Sequence, residues 1–282
     1  MPLTTTSELV TDAVTHNVAV GAFNVITLEH IEAVISGAEE AGRPVLLQIS
    51  QNAVAFHGGA VAPLASAARA AAVRASVPVA LHLDHVTSLE LLKECADFGF
   101  SSAMFDAGAL PFSKNVARTV VAVEWTHAND IWIEAEIGYI GGKIGDMVAA
   151  HTAGARTDPD EAQRFATATG VDALAVAVGS SHAMTTRTAT IDHELISRLA
   201  AVIALPLVLH GSSGVTDFDL KRAIAGGIRK VNVGTALSIA FTSTLRETLD
   251  ADHALVDPRR YLAPARVRVA AKVTELLRLV GS

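Results

Sequence analysis

Two kinds of apolar pattern alternate along the whole chain. Short runs rich in Val, Leu, Ile and Ala are typical of parallel strands buried on both faces. Between them, apolar residues recur at helical spacing, as at Ile31, Val34 and Ala38, and Gly42 ends that helix. The pattern predicts strands at residues 19–24, 45–50, 79–84, 101–106, 131–137, 174–178, 205–210 and 230–233.

Helical patterns follow each of these strands, and further helices are predicted at residues 7–16 and 272–280. Eight strand–helix units without a linker or a break in composition predict an α/β fold, a single (β/α)8 TIM barrel formed by residues 1–282 with extra terminal helices. A doubly wound open sheet fits less well, because no Gly-rich dinucleotide loop follows the first strand. Residues 138–157 are Gly-rich and lack periodicity, which predicts a long mobile loop after strand five.

Polar and titratable residues follow several of the apolar runs. His85, His182 and His210 come after strands three, six and seven. Because the carboxyl ends of parallel barrel strands meet at one rim, we expect these imidazoles to converge and to bind a divalent ion such as Zn²⁺. A single histidine at a strand end is more often structural. A histidine at each of three strand ends favours a shared site. The other histidines, apart from His82 on strand three, are expected on solvated helices or loops.

Carboxylates accompany the histidines. Asp84 precedes His85 and is expected to exchange a proton with the substrate, with orientation of His85 as the alternative role. Glu134 and Glu136 flank one residue of strand five, so both should face the barrel interior, where two like charges require a cation or a raised pKa. Asp106 precedes Gly108 and fits either the metal site or a turn. Lys143 and Lys230 are the only lysines near the rim, and neither is expected at the inward end of a strand.

Gly-Ser and Gly-Thr turns end strands seven and eight, in the segments HGSSG (210–214) and NVGT (232–235). Loops at these two positions of a barrel often bind phosphate through backbone amides and hydroxyls. The sequence therefore favours a phosphorylated substrate, and Arg259 is a candidate for a second anion.

Composition and charge bear on the classes of binding partner and on the location of the protein. The formal net charge of −7 gives no indication of nucleic acid or an anionic membrane. The N-terminus lacks a signal-peptide pattern and no apolar stretch is long enough to span a bilayer, so a cytoplasmic protein is expected. The single cysteine, Cys95, is expected to be a small buried residue.

The segments GAFNV, LHLDH, SSAMFDAG, IEAEIGYIGG, ALAVAVGSSH, PLVLHGSSG, KVNVGT and DPRRYLAPAR occur in an order and spacing that resemble the class II, zinc-dependent ketose-bisphosphate aldolases of the fructose- and tagatose-bisphosphate type. The resemblance implies cleavage of a phosphorylated ketose to dihydroxyacetone phosphate and an aldehyde in a homodimer or homotetramer. A Zn²⁺ ion acting as a Lewis acid would stabilise the enediolate charge, so no lysine Schiff base is needed.

The resemblance also implies roles for individual residues. Zn²⁺ would be held by His85, His182 and His210, Asp106 and Glu136 would match an alternative or outer metal position, and Asp84 would move the proton of the C4 hydroxyl. Dihydroxyacetone phosphate would be bound beside a monovalent cation, Na⁺ or K⁺. The residues implied for substrate binding are Asn24, Ser50, Gly211, Ser213, Asn232, Gly234, Thr235 and, from a neighbouring subunit, Arg259.

Two positions depart from the family pattern. The family usually carries a Glu after Gly141–Gly142 that exchanges the C3 proton, whereas this chain has Lys143, Ile144, Gly145 and Asp146, which makes Asp146 the candidate substitute. Ala183 stands where the family often has Gly. These departures keep three alternatives open: a catalytically weakened sugar-phosphate-binding barrel, an aldolase for a different aldehyde, and a zinc hydrolase or epimerase.

Overall fold

The computed structural model describes residues 2–137 and 156–281, and all eight predicted strands are present. They form a closed parallel barrel in the order β1-β2-β3-β4-β5-β6-β7-β8, with helices between them, which confirms the predicted (β/α)8 architecture. The predicted loop at 138–157 lies almost wholly outside the described residues. The strands are β1 Val20–Asn24, β2 Val45–Ser50, β3 Val79–Val86, β4 Ser102–Phe105, β5 Trp132–Ile137, β6 Ala173–Val176, β7 Leu207–Leu209 and β8 Ile228–Val233.

Helices surround the barrel, and most begin at a side-chain cap. Asp158 accepts a hydrogen bond from the Glu161 amide ahead of Pro159, as the acidic Pro-containing start predicted. The first helix is capped by Thr5, in a capping box with Glu8. The helices are α1 Thr6–His16, α2 Leu28–Ala41, α3 Gln51–Phe56, α4 Ala62–Arg74, α5 Leu89–Lys93, α6 Cys95–Phe98, α7 Phe112–His127, α8 Pro159–Thr169, α9 His193–Val202, α10 Asp217–Gly226, α11 Thr235–Ala251 and α12 Pro258–Val280.

Helices α3 and α12 differ from the prediction. The short α3 was not predicted, because six residues carry too little periodicity. The terminal helix α12 begins at Pro258 and not near residue 272, with Pro264 in its interior. It packs closely on α2, where a Cβ at Gly37 would overlap the α12 backbone at Ala270. Thr274 donates a hydrogen bond to the Gly37 carbonyl over 3.1 Å at this crossing.

The barrel interior changes from apolar to polar along its axis. At the amino-terminal end, Leu9 and Val10 of α1 pack against interior residues such as Ala22 and Leu46. Toward the carboxyl end the interior is polar, although it is closed to solvent. Six polar side chains there are completely buried, namely Gln48, His82, Glu134, Glu136, His210 and Lys230. Since buried polar groups are costly without partners, this layer must be held by internal hydrogen bonds.

Candidate active site

A bulge in β3 directs two consecutive residues toward the mouth of the barrel. Side chains normally alternate along a strand, so His85 should face away from Asp84. The φ angle of His85 is +52°, and the pairing with β4 shifts register between Leu83 and Val86. Both Asp84 and His85 therefore line the same cavity. A left-handed conformation at a non-glycine residue is strained, which is typical of functional sites.

The three predicted histidines converge at this mouth. The His85 ring centroid lies 5.0 Å from that of His182 and 5.0 Å from that of His210, and the third pair is 5.5 Å apart. One ring nitrogen of each lies within 4.8 Å of the others. His182 comes from the loop after β6, and His210 directly follows β7. A second group within the same distance combines His85 with Asp106 and Glu136.

Hydrogen bonds to carboxylates orient two of the imidazoles. Nδ1 of His85 donates to Oδ2 of Asp106 over 2.9 Å, and Nε2 of His210 donates to Oε1 of Glu134 over 2.8 Å. Nδ1 of His210 is buried, forms no hydrogen bond to any described residue, and lies 3.7 Å from Oε2 of Glu136. A buried imidazole that has one nitrogen bonded to a carboxylate and the other without a hydrogen bond, in contact with two more histidine rings, fits a divalent metal ion. Asp106 also accepts from the Gly108 amide, so it occupies the predicted turn as well.

Asp84 is buried beside these histidines. Its Oδ2 accepts a hydrogen bond from Nδ2 of Asn24 over 3.1 Å, and its Oδ1 lies 3.8 Å from Nε2 of His82. Burial acts to raise the pKa of Asp84, but its electrostatic interactions with His85, His82, His210 and the Lys230 ammonium outweigh this effect and lower that pKa. Asp84 is therefore ionised at neutral pH. Burial lowers the pKa of His82 to about 3, so this imidazole is neutral.

Glu134 and Glu136 both face the interior, as predicted, and the cation that their charge requires is Lys230. The expectation that Lys230 avoids an inward position was wrong, because its side chain is completely buried in the barrel. Its Nζ lies 2.8 Å from Oε2 of Glu134. Burial would raise the pKa of Glu134, but the Lys230 ammonium and the hydrogen bond from His210 lower it to about 2.

A cavity of about 350 Å³ opens above the histidines. Asp84, His85, Asp106 and His182 line it, whereas His210 and Glu136 lie beneath its wall. The predicted substrate-binding residues in its lining are Asn24, Ser50, Gly211, Ser213, Asn232, Gly234 and Thr235.

Four other residues of this lining were not predicted from the sequence. Gln51 and Thr87 directly follow β2 and β3 and bond to each other, with the Thr87 amide donating to Oε1 of Gln51 over 2.9 Å. Asn52 and Ser181 also line the cavity. Only their position in the sequence could have identified these residues, since each lies within a few residues of a strand end or of His182.

The turn after β7 and the start of α11 form one wall of the cavity. Gly211 has a φ of +65°, and a Cβ there would overlap the Ser181 carbonyl, so only glycine fits this approach. The Ser213 hydroxyl accepts from the Ala236 amide over 3.0 Å at the start of α11. The positive end of the 17-residue α11 therefore faces the cavity, which is suited to a phosphate.

Some expected residues lie elsewhere. The Arg259 side chain is 89% exposed, pairs with Asp257, and does not line the cavity of its own chain. Asp146 and Lys143 lie outside the described residues. The expectation of a solvated His30 was wrong: it is 5% exposed, contacts the Thr27 hydroxyl at 3.0 Å and stacks on Phe241. Cys95 is buried, as expected.

Comparison with known proteins identifies the family. The family described as "Fructose-bisphosphate aldolase class-II" matches residues 4–282. The chain belongs to the class II fructose-bisphosphate aldolase family. The fructose-bisphosphate aldolase of Staphylococcus aureus (strain Mu50 / ATCC 700699) is 36% identical over 284 residues, covering 100% of this chain and 98% of the relative. The probable fructose-bisphosphate aldolase of Bacillus subtilis (strain 168) is 38% identical over 283 residues, covering 100% and 99%.

Solved structures agree with this membership. The YdjI aldolase from Escherichia coli K12 superimposes with a TM-score of 0.84 at 32% identity, over 99% of this chain and 98% of the other. A putative fructose-1,6-biphosphate aldolase from Coccidioides immitis gives a TM-score of 0.85 at 30% identity, over 98% and 95%. Membership in the class II aldolases supports aldolase activity and is consistent with the metal-binding geometry of the histidines. Across the described residues, no helix has the length and apolar character needed to cross a membrane.

Proposed function

We propose that residues 1–282 form one aldolase domain that cleaves the C3–C4 bond of a phosphorylated ketose to give dihydroxyacetone phosphate and an aldehyde. The proposal depends on the convergence of three imidazoles beside the buried Asp84 carboxylate. One ring nitrogen of each imidazole lies within 4.8 Å of the others. The substrate class is fructose 1,6-bisphosphate, tagatose 1,6-bisphosphate or a close analogue, in keeping with the names of the relatives.

His85, His182 and His210 would hold the metal ion, which we assign as Zn²⁺ because imidazole nitrogens suit this borderline cation. The ion would supply Lewis-acid chemistry, polarising the substrate carbonyl and stabilising the negative charge that cleavage develops. Asp106 and Glu136 would serve as outer or alternative ligands, consistent with their grouping around His85. The hydrogen bonds from His85 to Asp106 and from His210 to Glu134 orient the rings before any metal binds.

Asp84 is the proposed base at the C4 hydroxyl. Its ionisation at neutral pH lets it accept the proton as the C3–C4 bond breaks, and Asn24 holds the carboxylate through Oδ2. Proton exchange at C3 would then need a second group. Asp146 is the proposed one, from the segment where the family usually has a Glu.

The phosphate of dihydroxyacetone phosphate would bind at the start of α11, with a monovalent cation, Na⁺ or K⁺, beside it. The residues assigned to this end are Gly211, Ser213, Asn232, Gly234 and Thr235, and Asn24 and Ser50 complete the proposed substrate-binding lining. The exposed Arg259 would bind the distal phosphate in a neighbouring subunit of a homodimer or homotetramer, which accounts for its position outside its own cavity.

The proposal is tested by the release of dihydroxyacetone phosphate from fructose and tagatose bisphosphates, with and without EDTA. Release that EDTA abolishes and Zn²⁺ restores supports the aldolase. Ala183, which lines the cavity with a φ of +57°, favours a weakened sugar-phosphate-binding barrel as the second candidate. Tight binding of the bisphosphates without release would identify that candidate, and neither binding nor release would point to a zinc hydrolase or epimerase.

A further inference from the structure

Lys230 occupies the centre of the polar layer beneath the metal-binding histidines. Its ammonium lies 2.8 Å from Oε2 of Glu134, 2.8 Å from Oδ1 of Asn232 and 2.9 Å from Oε1 of Gln48. An ammonium has three donors and no acceptor, so these three oxygens use its full hydrogen-bonding capacity. Two of the three partners are neutral amides. Because the ammonium can only donate, it fixes which end of each amide faces it.

The contact with Gln48 sets the direction of a hydrogen-bond chain toward Asp84. Because Oε1 of Gln48 accepts from Lys230, its Nε2 is left to donate, and it reaches Oδ1 of Asn24 at 3.4 Å. Oδ1 of Asn24 is thereby used as an acceptor, which turns its Nδ2 toward Oδ2 of Asp84 at 3.1 Å. If the amide of Gln48 or of Asn24 were reversed, two donors or two acceptors would face each other. The orientation of both amides thus depends on Lys230.

The contact with Glu134 sets the direction of a second chain, toward His210. Lys230 occupies one carboxylate oxygen, and the other accepts from Nε2 of His210. That bond keeps the proton of His210 on Nε2 and leaves Nδ1, which is buried and forms no hydrogen bond to any described residue, as the nitrogen available to a metal ion. Lys230 also donates a hydrogen bond to Oδ1 of Asn232 over 2.8 Å.

We propose that Lys230 is a positioning residue that orients both halves of the site, the proton-accepting Asp84 through Gln48 and Asn24, and the metal ligand His210 through Glu134. Its side chain is completely buried and does not line the cavity. The Asp84 half of this inference rests on the proposed aldolase function, whereas the His210 half concerns metal affinity alone.

Three variants distinguish the hydrogen-bond chain to Asp84 from the one to His210. Lys230→Met removes the shared donor and should weaken Zn²⁺ binding and lower kcat, each by about 10–100-fold, the usual cost of losing an outer partner of a metal site. Gln48→Leu breaks only the chain to Asp84 and should lower kcat by about tenfold with unchanged Zn²⁺ affinity. In Glu134→Gln the amide oxygen should turn to Lys230, so its NH₂ group opposes Nε2 of His210. That change should weaken Zn²⁺ binding by about 10–100-fold.

Zn²⁺ affinity is measured by competition with a chromophoric chelator, and kcat by release of dihydroxyacetone phosphate at saturating Zn²⁺. Thr274→Val is the matched control, since it removes a buried hydrogen-bonding side chain far from the mouth. The control should lose stability without changing either parameter. If Lys230→Met does not fold, Gln48→Leu and Glu134→Gln still test the separation, because both retain the lysine.

Wild-type Zn²⁺ affinity in Lys230→Met or in Glu134→Gln would overturn the proposal, as would equal effects of Gln48→Leu and Glu134→Gln on Zn²⁺ affinity. If the wild-type protein releases no dihydroxyacetone phosphate, the aldolase assignment fails. The Zn²⁺ affinities of Lys230→Met and Glu134→Gln then still decide whether Lys230 positions His210.

Discussion

His85 directly follows Asp84 in β3, yet both side chains face one cavity, because the φ angle of His85 is +52°. The bulge places an imidazole and a carboxylate side by side at the end of a single strand. Under the proposed function, a proton acceptor fixed this close to the three histidines would act on a substrate oxygen adjacent to the one that the metal would polarise. The strain at His85 therefore serves the arrangement of the site.

Asp84→Asn should abolish most of the cleavage activity while preserving the metal site. The amide keeps the size of the side chain but cannot accept the C4 proton, so kcat should decrease by about 10²–10⁴-fold. Steady-state release of dihydroxyacetone phosphate measures the change, and a chelator competition checks that Zn²⁺ still binds. Asp97→Asn, on the exposed side of α6, is the control and should retain full activity. Activity in Asp84→Asn near that of the control would exclude Asp84 as the base.

Zn²⁺ should stabilise the folded protein through His210. At a free concentration about 100 times the dissociation constant, binding adds about 2.7 kcal/mol to the free energy of unfolding. Thermal unfolding of EDTA-treated protein, with and without added ZnCl₂, should show a higher midpoint with the ion. His210→Ala should remove that increase, and His253→Ala, at an exposed position, should keep it. A Zn²⁺-dependent shift that survives in His210→Ala would mean that the ion binds elsewhere.

The stability of the metal-free protein should decrease in mild acid because of His82. Burial, assisted by the Lys230 ammonium, lowers the pKa of His82 from 6.5 to about 3. Between these values the unfolded chain binds a proton that the folded protein does not. The His82 contribution to the free energy of unfolding is therefore fully present above pH 6.5. As the pH falls from 6.5 toward 3, it decreases by up to about 1.4 kcal/mol per pH unit.

His82→Gln should remove this contribution. Urea unfolding at several pH values above about 5, where most carboxylates remain ionised, gives the free energy of unfolding without their interference. The slope of that free energy against pH should be shallower in His82→Gln than in the wild-type protein or in His253→Ala. Equal slopes in all three proteins would show that another group binds the proton.

Much of the fold and of the site could be predicted from the sequence, because both follow from where the strands lie and where they end. Alternating strand and helix patterns predicted the barrel, and barrel geometry brings the ends of β3, β6 and β7 to one rim whatever their separation in the chain. His85, His182 and His210 therefore met as expected. The Gly211 and Ser213 turn followed from the same reasoning about strand seven.

Lys230 and the bulge at His85 could not be predicted in this way. A lysine in a strand is usually exposed, and the acceptors that make its burial tolerable lie on β2 and β5, as Gln48 and Glu134. Strict alternation would have pointed His85 away from the cavity, and no residue type in the segment signals a left-handed histidine. Both features depend on three-dimensional contacts across the barrel.

Ala183→Gly should improve phosphate binding with little effect on stability. Ala183 lies in the cavity wall with a φ of +57°, a conformation that costs a non-glycine residue about 1–2 kcal/mol. Glycine removes that strain and the methyl group, but its unfolded chain is more flexible by about 0.5–1 kcal/mol, so the two effects nearly cancel. The inhibition constant of dihydroxyacetone phosphate should decrease, with Zn²⁺ affinity unchanged. Ala183→Val, whose branched side chain is more strained in this conformation, should change both stability and binding in the unfavourable direction. An unchanged inhibition constant in Ala183→Gly would show that the methyl group does not restrict the phosphate end of the cavity.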